Sequence, residues 1–409
     1  MSKLEELIQK YCPDGVEYRP LWSLTAWDKK FNGIEDKSKQ KRVIKYNYLL
    51  AADLKSYQVE GGTVKLLTTN ISNLYTSEEL AEGLASDGEV VAIPWGGNPV
   101  VQYYKGRFLT ADNRIATSLD TTLLNNKFLY YCMLSQLKLI ASFYRGSGIK
   151  HPDMAKVLDL EIPIPPLPVQ EEIVRILDTF TELQTELQTE LQKRLQQYNY
   201  YRDNLLSFDG RTDVEWKKLG EVADLLSGFP FDSTQFTNDG IRLMRGVNIK
   251  RGQLCFNEKD DRYWKSIEGL EKYIVHENDI VISMDGSLVG RSFGMIKKEH
   301  LPLLLVQRVA RIRTTVFNIN FIYYCINNWF PDYVDKKKTQ GAIPHISMKD
   351  IASFPIPAPS LDEQERIASI LDRFDALTTD LSQGLPAEIE KRRQQYEFYR
   401  DKLLTFKRK

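Results

Sequence analysis

Side chains that can read base edges or hold phosphate recur at matching places in two parts of the chain. Arginine hydrogen-bonds guanine edges, asparagine and glutamine hydrogen-bond adenine edges, and lysine mostly meets phosphate. For any single residue a solvated surface charge is the simpler interpretation, but the recurrence favours contacts to double-stranded DNA. The candidates are Asn70, Trp95, Arg107, Asn113, Arg114, Arg145, Lys150 and His151 in the first part, and Arg245, Asn248, Lys250, Arg251, Arg291, Gln307, Arg308 and His345 in the second.

Signatures of catalysis are missing. The sequence contains no Gly-x-x-x-x-Gly-Lys-[Ser/Thr] phosphate loop and no Gly-x-Gly-x-x-Gly fingerprint. Residues 98–101 read Asn-Pro-Val-Val, which is similar to the Asn-Pro-Pro-aromatic motif of adenine methyltransferases. They lack the second proline and the aromatic ring that stacks a flipped base. The chain is therefore predicted to be non-catalytic.

The metal-binding and thiol residues are scattered. The four histidines (His151, His276, His300 and His345) lack metal-ligand spacing, and the four cysteines form no Cys-x-x-Cys pair. We expect no metal site and no disulfide framework, which suits a reducing cytoplasm. No apolar run reaches the length of a membrane span, and the first residues lack the apolar core of a signal peptide.

The charge balance gives DNA binding no support. The chain has 55 Lys and Arg residues against 55 Asp and Glu residues, whereas nucleic-acid binding favours a basic surplus. A coiled-coil interaction protein that does not bind DNA is the alternative that this balance favours. The charge is uneven, however: residues 170–208 carry seven acids and four bases, so the rest of the chain is slightly basic and has room for a local basic face.

Two helical arms, each introduced by prolines, must position these side chains. The first lead-in runs from Ile162 to Pro168, and no proline interrupts the segment from Gln170 to Leu206. The prolines keep the lead-in out of a helix, and the segment would form a helix about 55 Å long, which is typical of a coiled-coil arm. The apolar residues expected to form the arms and bind partners are Ile173, Leu177, Phe180, Leu183, Leu187, Leu191, Leu195, Ile367, Leu371 and Phe374.

The second arm repeats the first. Residues 356–372 match 162–178 at an offset of 194, whereas residues 395–406 match 197–208 at an offset of 198. The second copy therefore carries four extra residues, near Gly384-Leu385-Pro386. We expect this glycine and proline to break the second helix where the first is continuous.

Two globular blocks alternate with the arms. We predict an α+β fold in which two globular α/β domains are separated by two long antiparallel helices in a pseudo-two-fold circular arrangement. Residues 2–18 and 201–216 both run from a helix through a glycine to Val-Glu-aromatic, so the N-terminal piece is expected to complete what the C-terminal arm begins. The predicted division is 1–158, 159–209, 210–353 and 354–409.

The two blocks match each other only loosely. In the first we predict a helix over residues 2–11, strands near 64–69, 89–93 and 114–119, and a helix over 126–143. In the second, Arg308 falls near the place of Arg114, and residues 342–345 fall on 148–151. Shared architecture with divergent loops is expected of two recognition units for different targets. Two copies of one domain that drifted freely are the alternative.

In these features the chain resembles the specificity subunits of type I restriction–modification systems over essentially its whole length. The pattern Ile-Pro-hydrophobic-Pro-x-x-x-x-Gln-x-x-Ile fits residues 162–173 and 356–367. The Gln-Tyr-x-x-Tyr-Arg-Asp ending at 197–203, its Phe-for-Tyr variant at 395–401 and three Thr-Glu-Leu-Gln repeats over 181–192 are similar to the branch with tetrapeptide repeats in the central helix. Type IIB specificity subunits share the layout and remain an alternative.

The resemblance implies a DNA-recognition scaffold. Each block would be a target-recognition domain that reads one half of a bipartite, asymmetric site. Two methyltransferase subunits would dock on the arms and methylate adenine at N6, and two restriction/translocase subunits would join for ATP-driven cleavage. No cofactor is expected on this chain, since S-adenosylmethionine, ATP and Mg would bind the partner subunits. Recognition residues vary with the target, so none is carried over.

The repeats suggest a ruler. Each tetrapeptide advances a helix by about 6 Å and about 40°, while one base pair of B-DNA adds about 3.4 Å and about 35°. We hypothesise, leaning on the family, that the repeat count sets the unspecified spacer between the half-sites. Replication slippage in a tolerant solvated helix is the alternative.

Overall fold

The computed structural model describes residues 2–40, 42–338, 344–379 and 383–409. Contacts group them into two compact units, the first made of Met1–Gln188 with Ile389–Lys409 and the second of Thr189–Glu388. Both units therefore contain part of each predicted arm together with one globular block. The four-part division at 158, 209 and 353 is a finer one and stays a prediction.

Helices and strands of the first block alternate as short elements. Its helices are α1 (Lys3–Tyr11), α2 (Leu21–Leu24), α3 (Ala51–Ser56), α4 (Asn126–Ser135), α5 (Leu137–Ser142) and α6 (Met154–Leu158). Its strands are β1 (Glu17–Pro20), β2 (Thr25–Trp27), β3 (Val64–Leu67), β4 (Tyr75–Thr76), β5 (Ser86–Pro94), β6 (Gln102–Thr110), β7 (Asn113–Ser118), β8 (Tyr144–Arg145), β9 (His151–Pro152) and β10 (Glu161–Ile164). The helix expected over 126–143 is divided at Gln136, whose side-chain amide donates a 3.0 Å hydrogen bond to the Glu161 carbonyl.

One sheet organises the first block. Its six strands run in the order β2-β7-β5-β6-β3-β4, and the pairs are antiparallel except β3 with β6. Helix α4 packs on β5, and Phe128 and Tyr131 of α4 lie in the same buried core as Val91 and Ile93 of β5. The predicted strands and the helix packed on them are thus present.

The second block contains two smaller sheets. The arm helix α7 (Leu167–Leu205) leads to β11 (Glu215–Lys218), α8 (Leu219–Val222), β12 (Asp224–Ser227), β13 (Ile241–Met244), β14 (Tyr263–Trp264), β15 (Ile274–Val275), β16 (Ile280–Ser283), β17 (Phe293–Met295), β18 (Leu303–Leu305), β19 (Val309–Arg313), α9 (Ile319–Lys337), α10 (Met348–Ala352), β20 (Pro355–Ala358), α11 (Leu361–Thr379) and α12 (Leu385–Leu403). The sheets have the strand orders β12-β19-β16-β17 and β14-β13-β18-β15.

The proline lead-ins form the same two-stranded ribbon in both units. Strand β10 pairs antiparallel with β1, so that Tyr18 lies opposite Pro163, and β20 pairs with β11, so that Trp216 lies opposite Pro357. The arm helix begins at Leu167, three residues before the predicted start, with Pro168 in its first turn. Proline is tolerated there because the first amides of a helix have no intrahelical partner.

The two arms differ in continuity, as predicted. Helix α7 runs for 39 residues without interruption, whereas the second arm is divided into α11, which ends at Thr379, and α12, which begins at Leu385. Gly384 immediately precedes α12 and Pro386 lies in its first turn. Both residues disfavour a continuous helix through this point.

Much of the apolar stripe of the arms is covered by the chain itself. Ile173, Leu177, Ile367 and Leu371 are completely buried in the cores of their own units, so the expectation that they bind a partner is wrong. Phe180 stacks on Tyr399 at 5.6 Å between ring centroids, and Phe374 stacks on Tyr201 at 5.4 Å. The repeat leucines Leu183, Leu187, Leu191 and Leu195 are half-buried.

The chain closes on itself within the first unit. The Val16 amide donates to the Lys407 carbonyl at 2.8 Å, and the Lys409 amide donates to the Val16 carbonyl at 3.1 Å. The Tyr18 hydroxyl lies 3.1 Å from the Phe406 carbonyl. The expected contact between the N-terminal piece and the C-terminal arm is therefore present.

Candidate nucleic-acid interface

In the first unit, the loop after β5 packs against the β8–β9 hairpin. The Gly97 amide donates to the Lys150 carbonyl at 3.1 Å, and the Tyr144 hydroxyl donates to the Pro94 carbonyl at 2.7 Å. A Cβ on Gly96 would lie 2.8 Å from Cγ2 of Ile149. Glycine at this position therefore allows the two loops to touch. We call residues 95–98 and 145–151 the first loop surface.

The first loop surface presents an aromatic ring beside exposed cations. Trp95 is half-buried, and Arg145, Lys150 and His151 are exposed. The His151 ring lies 5.1 Å from the Trp95 ring, and its Nδ1 lies 2.7 Å from the Trp95 carbonyl. Since a carbonyl only accepts, Nδ1 carries the proton, and Nε2 of a neutral His151 is left as an acceptor. The surface can thus offer both donors and an acceptor to DNA.

Two other candidates, Asn113 and Arg114, lie at the start of β7, which pairs with the strand leading into this surface. Asn113 is completely buried, and its amide donates to the Leu67 carbonyl at 2.8 Å. Arg114 is 7% exposed, with its guanidinium carbon 4.0 Å from the centre of the Trp95 ring. Burial lowers the pKa of Arg114. Because Asn113 is completely buried and Arg114 almost completely buried, the prediction that they contact DNA is wrong. Both side chains stabilise the fold instead, and the Arg114 guanidinium packs on the Trp95 ring.

The remaining candidates of the first unit lie elsewhere on its surface. Asn70 is exposed in the loop after β3, and that loop is tied to the sheet by the hydrogen bond from Nε2 of Gln102 to the Thr68 carbonyl at 2.8 Å. Arg107 is exposed but forms an ion pair with Glu78. Its guanidinium is therefore already compensated by a carboxylate of the same unit.

The second unit has a cleft of about 540 Å³ that gathers four of the predicted residues. Its wall includes Arg245, Lys250, Gln307 and Arg308 together with the aromatic rings of Phe231 and Phe236. Lys250, Gln307 and Arg308 are exposed and Arg245 is half-buried. Gln307, which can read adenine, and Arg308, which can read guanine, are thus neighbours in sequence at one cleft.

An acidic residue shares this cleft. Nη1 of Arg308 lies 2.7 Å from Oδ2 of Asp285, and 65% of the Arg308 side chain is exposed. The Arg308 backbone has a φ of 63°, a conformation that is uncommon for a residue with a side chain. His345 is half-buried and forms a β-bridge with Asp285, which lines the cleft.

Three further candidates of the second unit are separate from the cleft wall. Asn248 is completely buried, with its amide 3.2 Å from the Cys255 carbonyl, and is a framework residue rather than the predicted DNA contact. Arg291 is ion-paired with Asp335 at 2.9 Å. Arg251 is exposed.

The two units build these loops on one backbone framework. The Gly97–Lys150 hydrogen bond has its counterpart in the Gly286 amide, which donates to the Pro344 carbonyl at 3.1 Å. This supports the predicted match of His151 with His345, although residues 342 and 343 of the matched segment lie outside the described residues.

The same framework corrects another predicted match. The Trp95 amide donates to the Asp112 carbonyl at 2.7 Å, as the Met284 amide donates to the Arg308 carbonyl at 2.9 Å. Asp112 and Arg308 also share a positive φ, at 46° and 63°. Arg308 therefore corresponds to Asp112 and not to Arg114, which is two residues further along.

Sequence reasoning missed a basic pocket in the first unit. This pocket of about 360 Å³ is lined by Arg19, Lys29 and Arg42 together with Trp22 and Phe31. The signal was available, because residues 29–45 contain seven Lys or Arg and two Asp or Glu. A net charge of zero over the whole chain hides such a local surplus.

Sequence reasoning also missed the anchors of the first arm. Oε1 of the buried Gln170 accepts from the Asn125 amide at 2.9 Å, and its Nε2 donates to the Pro165 carbonyl at 2.7 Å. Two turns later, Asp178 accepts from the Tyr131 hydroxyl at 2.6 Å. The arm is thus fixed to the start of α4, which packs on the sheet.

The second unit repeats these anchors. Oε1 of the buried Gln364 accepts from the Asn318 amide at 3.0 Å, and Asp372 accepts from the Tyr324 hydroxyl at 2.6 Å. Both glutamines and both aspartates belong to the motif that is repeated in the sequence. Their recurrence reflects how each recognition block is held on its arm.

Among the described residues, no group of three or more histidine, cysteine, aspartate or glutamate side chains is arranged to hold a metal ion. None of the helices that the structure describes is both long and apolar enough to cross a membrane.

The sequence matches the type I restriction modification DNA specificity domain over residues 87–197 and 212–391. It is 34% identical over 307 residues to the type I restriction enzyme EcoR124I/EcoR124II specificity subunit of Escherichia coli, covering 72% of this chain and 74% of that protein. It is 32% identical over 354 residues to a putative type I restriction enzyme specificity subunit of Haemophilus influenzae, covering 80% of this chain and 86% of that protein.

Solved structures show the same fold. The S subunit of a type I restriction–modification system from M. genitalium matches with a TM-score of 0.64 at 16% identity, over 96% of this chain and 97% of that one. A chain from a study of complex assembly and conformational transition of the type I R-M system matches with a TM-score of 0.52 at 17% identity, over 96% of this chain and 98% of that one. With its domain match over more than half of its length and these curated relatives, the chain belongs to the non-catalytic DNA specificity subunits of type I restriction–modification systems.

Proposed function

We propose that this subunit recognises a bipartite, asymmetric DNA site, one half with each unit, and positions two methyltransferase subunits that methylate adenine at N6. One observation carries the proposal. The same backbone framework presents Trp95, Lys150 and His151 in the first unit, and Gln307 and Arg308 in the second. A constant framework with different side chains is what two readers of different sequences require.

The side chains suit different parts of DNA recognition. Exposed Lys150 and Lys250 are placed for phosphate contacts, which supply affinity but carry no sequence information. The Arg308–Asp285 pair matches one G·C base pair, since arginine donates to guanine O6 and N7 and aspartate accepts from cytosine N4. We assign this pair to the second half-site.

The partners would supply the chemistry. Two methyltransferase subunits would dock on the arms, and two restriction/translocase subunits would join them in the cytoplasm. S-adenosylmethionine, ATP and Mg would bind these partners. Exposed aromatic residues on the arms favour such docking, because Tyr200 is 66% exposed and Phe398 is 63% exposed and aromatic side chains are enriched at protein interfaces.

The tetrapeptide repeats would act as the ruler between the half-sites. Helix α7 is uninterrupted across them, and the Thr185 hydroxyl donates to the Thr181 carbonyl at 2.9 Å. A continuous helix transmits each added repeat as about 6 Å and about 40°. We also propose that this chain belongs to the branch of the family that has tetrapeptide repeats in its central helix.

The deciding experiment is single-molecule methylation sequencing of DNA from cells that carry this chain with its cognate methyltransferase subunit. We expect a motif of two short half-sites with N6-methyladenine in each. Replacing residues 210–353 by the corresponding block of a relative should change one half-site and leave the other unchanged. A complex that assembles but leaves no methylated motif would favour the alternative, a coiled-coil scaffold without base readout. A motif with no associated restriction subunit would favour the type IIB-like alternative.

A further inference from the structure

An acidic and aromatic pocket of about 500 Å³ lies wholly in the second unit. Trp216 and Trp329 line it with their rings 5.7 Å apart, and Trp216 is 42% exposed. Three carboxylates line it, those of Asp203, Asp209 and Asp332, together with the ammonium of Lys336. Asp203 is ion-paired with Arg202 at 2.7 Å, so Asp209 and Asp332 supply the excess carboxylate. The excess of carboxylate repels phosphate, so the pocket does not suit DNA. Aromatic faces flanked by carboxylates suit a cationic side chain.

The equivalent place in the first unit already holds an arginine. Tyr18 corresponds to Trp216, because each lies opposite the proline of the repeated Ile-Pro pair, Pro163 and Pro357. The guanidinium carbon of Arg408 lies 4.2 Å from the centre of the Tyr18 ring. Its Nη2 lies 2.8 Å from Oε2 of Glu161. One arginine of the chain is thus bound between an aromatic face and a carboxylate.

Among the described residues, no arginine lines the pocket of the second unit. At the offset of the arm endings, Gly210 stands where the first unit has Arg408. The neighbouring Arg211 is engaged elsewhere, with its Nη2 2.5 Å from Oδ2 of Asp213. Pro355 replaces Glu161 at the pocket wall, and the carboxylates come from other positions. The second unit therefore has aromatic and carboxylate groups at this place, but no arginine among its described residues is bound between them.

We infer that this pocket accepts an arginine side chain from a protein partner. The inference rests on the proposed function, which supplies the partner as the methyltransferase subunit on the second arm. A guanidinium is flat, so it stacks on an indole while its N–H groups bind carboxylates, whereas lysine offers only a point charge. Binding in the pocket would anchor that subunit beside the second recognition block.

The test uses the full chain and its cognate methyltransferase subunit, with affinity measured by calorimetry. The double variant Asp209→Asn/Asp332→Asn keeps the shape of the pocket but removes two charges, and should weaken binding at least about tenfold. Trp216→Leu keeps an apolar side chain without the aromatic face and should weaken it about fivefold. Glu277→Gln removes an exposed charge of the second unit outside the pocket wall and should leave the affinity unchanged.

A cross-linking measurement identifies the occupant. With the photoreactive residue p-benzoylphenylalanine at position 216, mass spectrometry should find a methyltransferase peptide with an arginine at or next to the linked residue. Unchanged affinity of the double variant, or a cross-link to a segment without arginine, would overturn the inference while leaving the proposed function intact. If the wild-type chain did not bind the methyltransferase subunit, the proposed function would fail and this inference with it.

Discussion

The hydroxyl of Tyr131 donates a 2.6 Å hydrogen bond to Oδ1 of Asp178, which joins the first recognition block to its arm. Tyr324 and Asp372 make the same bond in the second unit at 2.6 Å. These two bonds connect each globular block to the arm whose motif is repeated in the sequence.

Removing this hydroxyl should loosen the first block. Tyr131→Phe leaves Asp178 with Lys127 at 2.8 Å as its partner, so we expect a loss of about 1–2 kcal/mol in the free energy of unfolding. Urea denaturation of the full chain measures it. Tyr200→Phe, at an exposed ring, is the control and should change the stability by less than about 0.5 kcal/mol. Equal effects of the two variants would show that the bond contributes nothing.

Arg308 should control one base pair of the second half-site. Arg308→Ala removes a guanidinium that can bind guanine with two hydrogen bonds, so discrimination at one G·C pair should fall by about 1–3 kcal/mol. Arg308→Lys should not restore it, because lysine lacks the planar fork. Binding to an array of DNA sites substituted at each position measures the change. A loss spread evenly over all positions would contradict base readout by Arg308.

Lys250 should contribute affinity without sequence preference. Lys250→Ala at the cleft should weaken binding to all sequences alike. The slope of log K against log salt concentration should become shallower by about 0.9. Titrations at several salt concentrations provide the measurement, and Lys272→Ala, at an exposed lysine outside the cleft wall, serves as the control. An unchanged slope would show that Lys250 does not contact phosphate.

The repeat number should set the spacer. Deleting Thr185–Gln188 should shorten the unspecified spacer by one base pair, because one tetrapeptide rotates the helix by about 40° and one base pair rotates DNA by about 35°. Duplicating the same four residues should lengthen it by one. Methylation sequencing identifies both spacers. Altered half-site bases, or an unaltered spacer, would contradict the ruler.

Glu172 should make stability depend on pH in the acid range. Hydrogen bonds from Arg175, at 2.7 Å, and from Lys3, at 2.8 Å, lower the pKa of this carboxyl from 4.5 to about 2. Its stabilisation is therefore complete above pH 4.5 and is lost as the pH falls towards 2. Glu172→Gln should lower the free energy of unfolding by about 1.5–3 kcal/mol at pH 7. The difference should become smaller as the pH falls below 4.5.

Urea denaturation of the wild type and the variant between pH 3 and pH 7 tests this dependence. Glu171→Gln changes the exposed neighbour and should show no such trend. A difference between wild type and Glu172→Gln that stays constant with pH would mean that the ion pairs do not stabilise the folded state.

The arms could be predicted because their signals are local. Proline geometry, an uninterrupted apolar period and a repeated motif all act within one segment, so the long α7 and the division near Gly384 follow from the sequence. The start of α7 at Leu167 differs from the prediction because Pro168 is accommodated in the first turn. Even there, the error concerns only the boundary of an element that is present.

The contact residues could be predicted only in part, because burial and ion pairing are tertiary properties. Asn113 and Asn248 look like base readers in the sequence, yet each satisfies carbonyls inside its own unit. Arg107 is compensated by Glu78, 29 positions earlier. No pattern in the sequence reports a partner at such a distance. The match of Arg308 to Arg114 failed because two sheets of low identity were aligned without their hydrogen bonds.

The hydrogen bonds between Val16 and residues 407–409 have a consequence for biosynthesis. The second unit is one continuous stretch, whereas the first combines residues 1–188 with residues 389–409. Domains usually fold in the order in which the ribosome releases them. Here the block translated first must wait for residues 389–409 to emerge, so it is completed after the block that follows it. During that interval, the binding site for residues 407–409 stays open on the nascent chain.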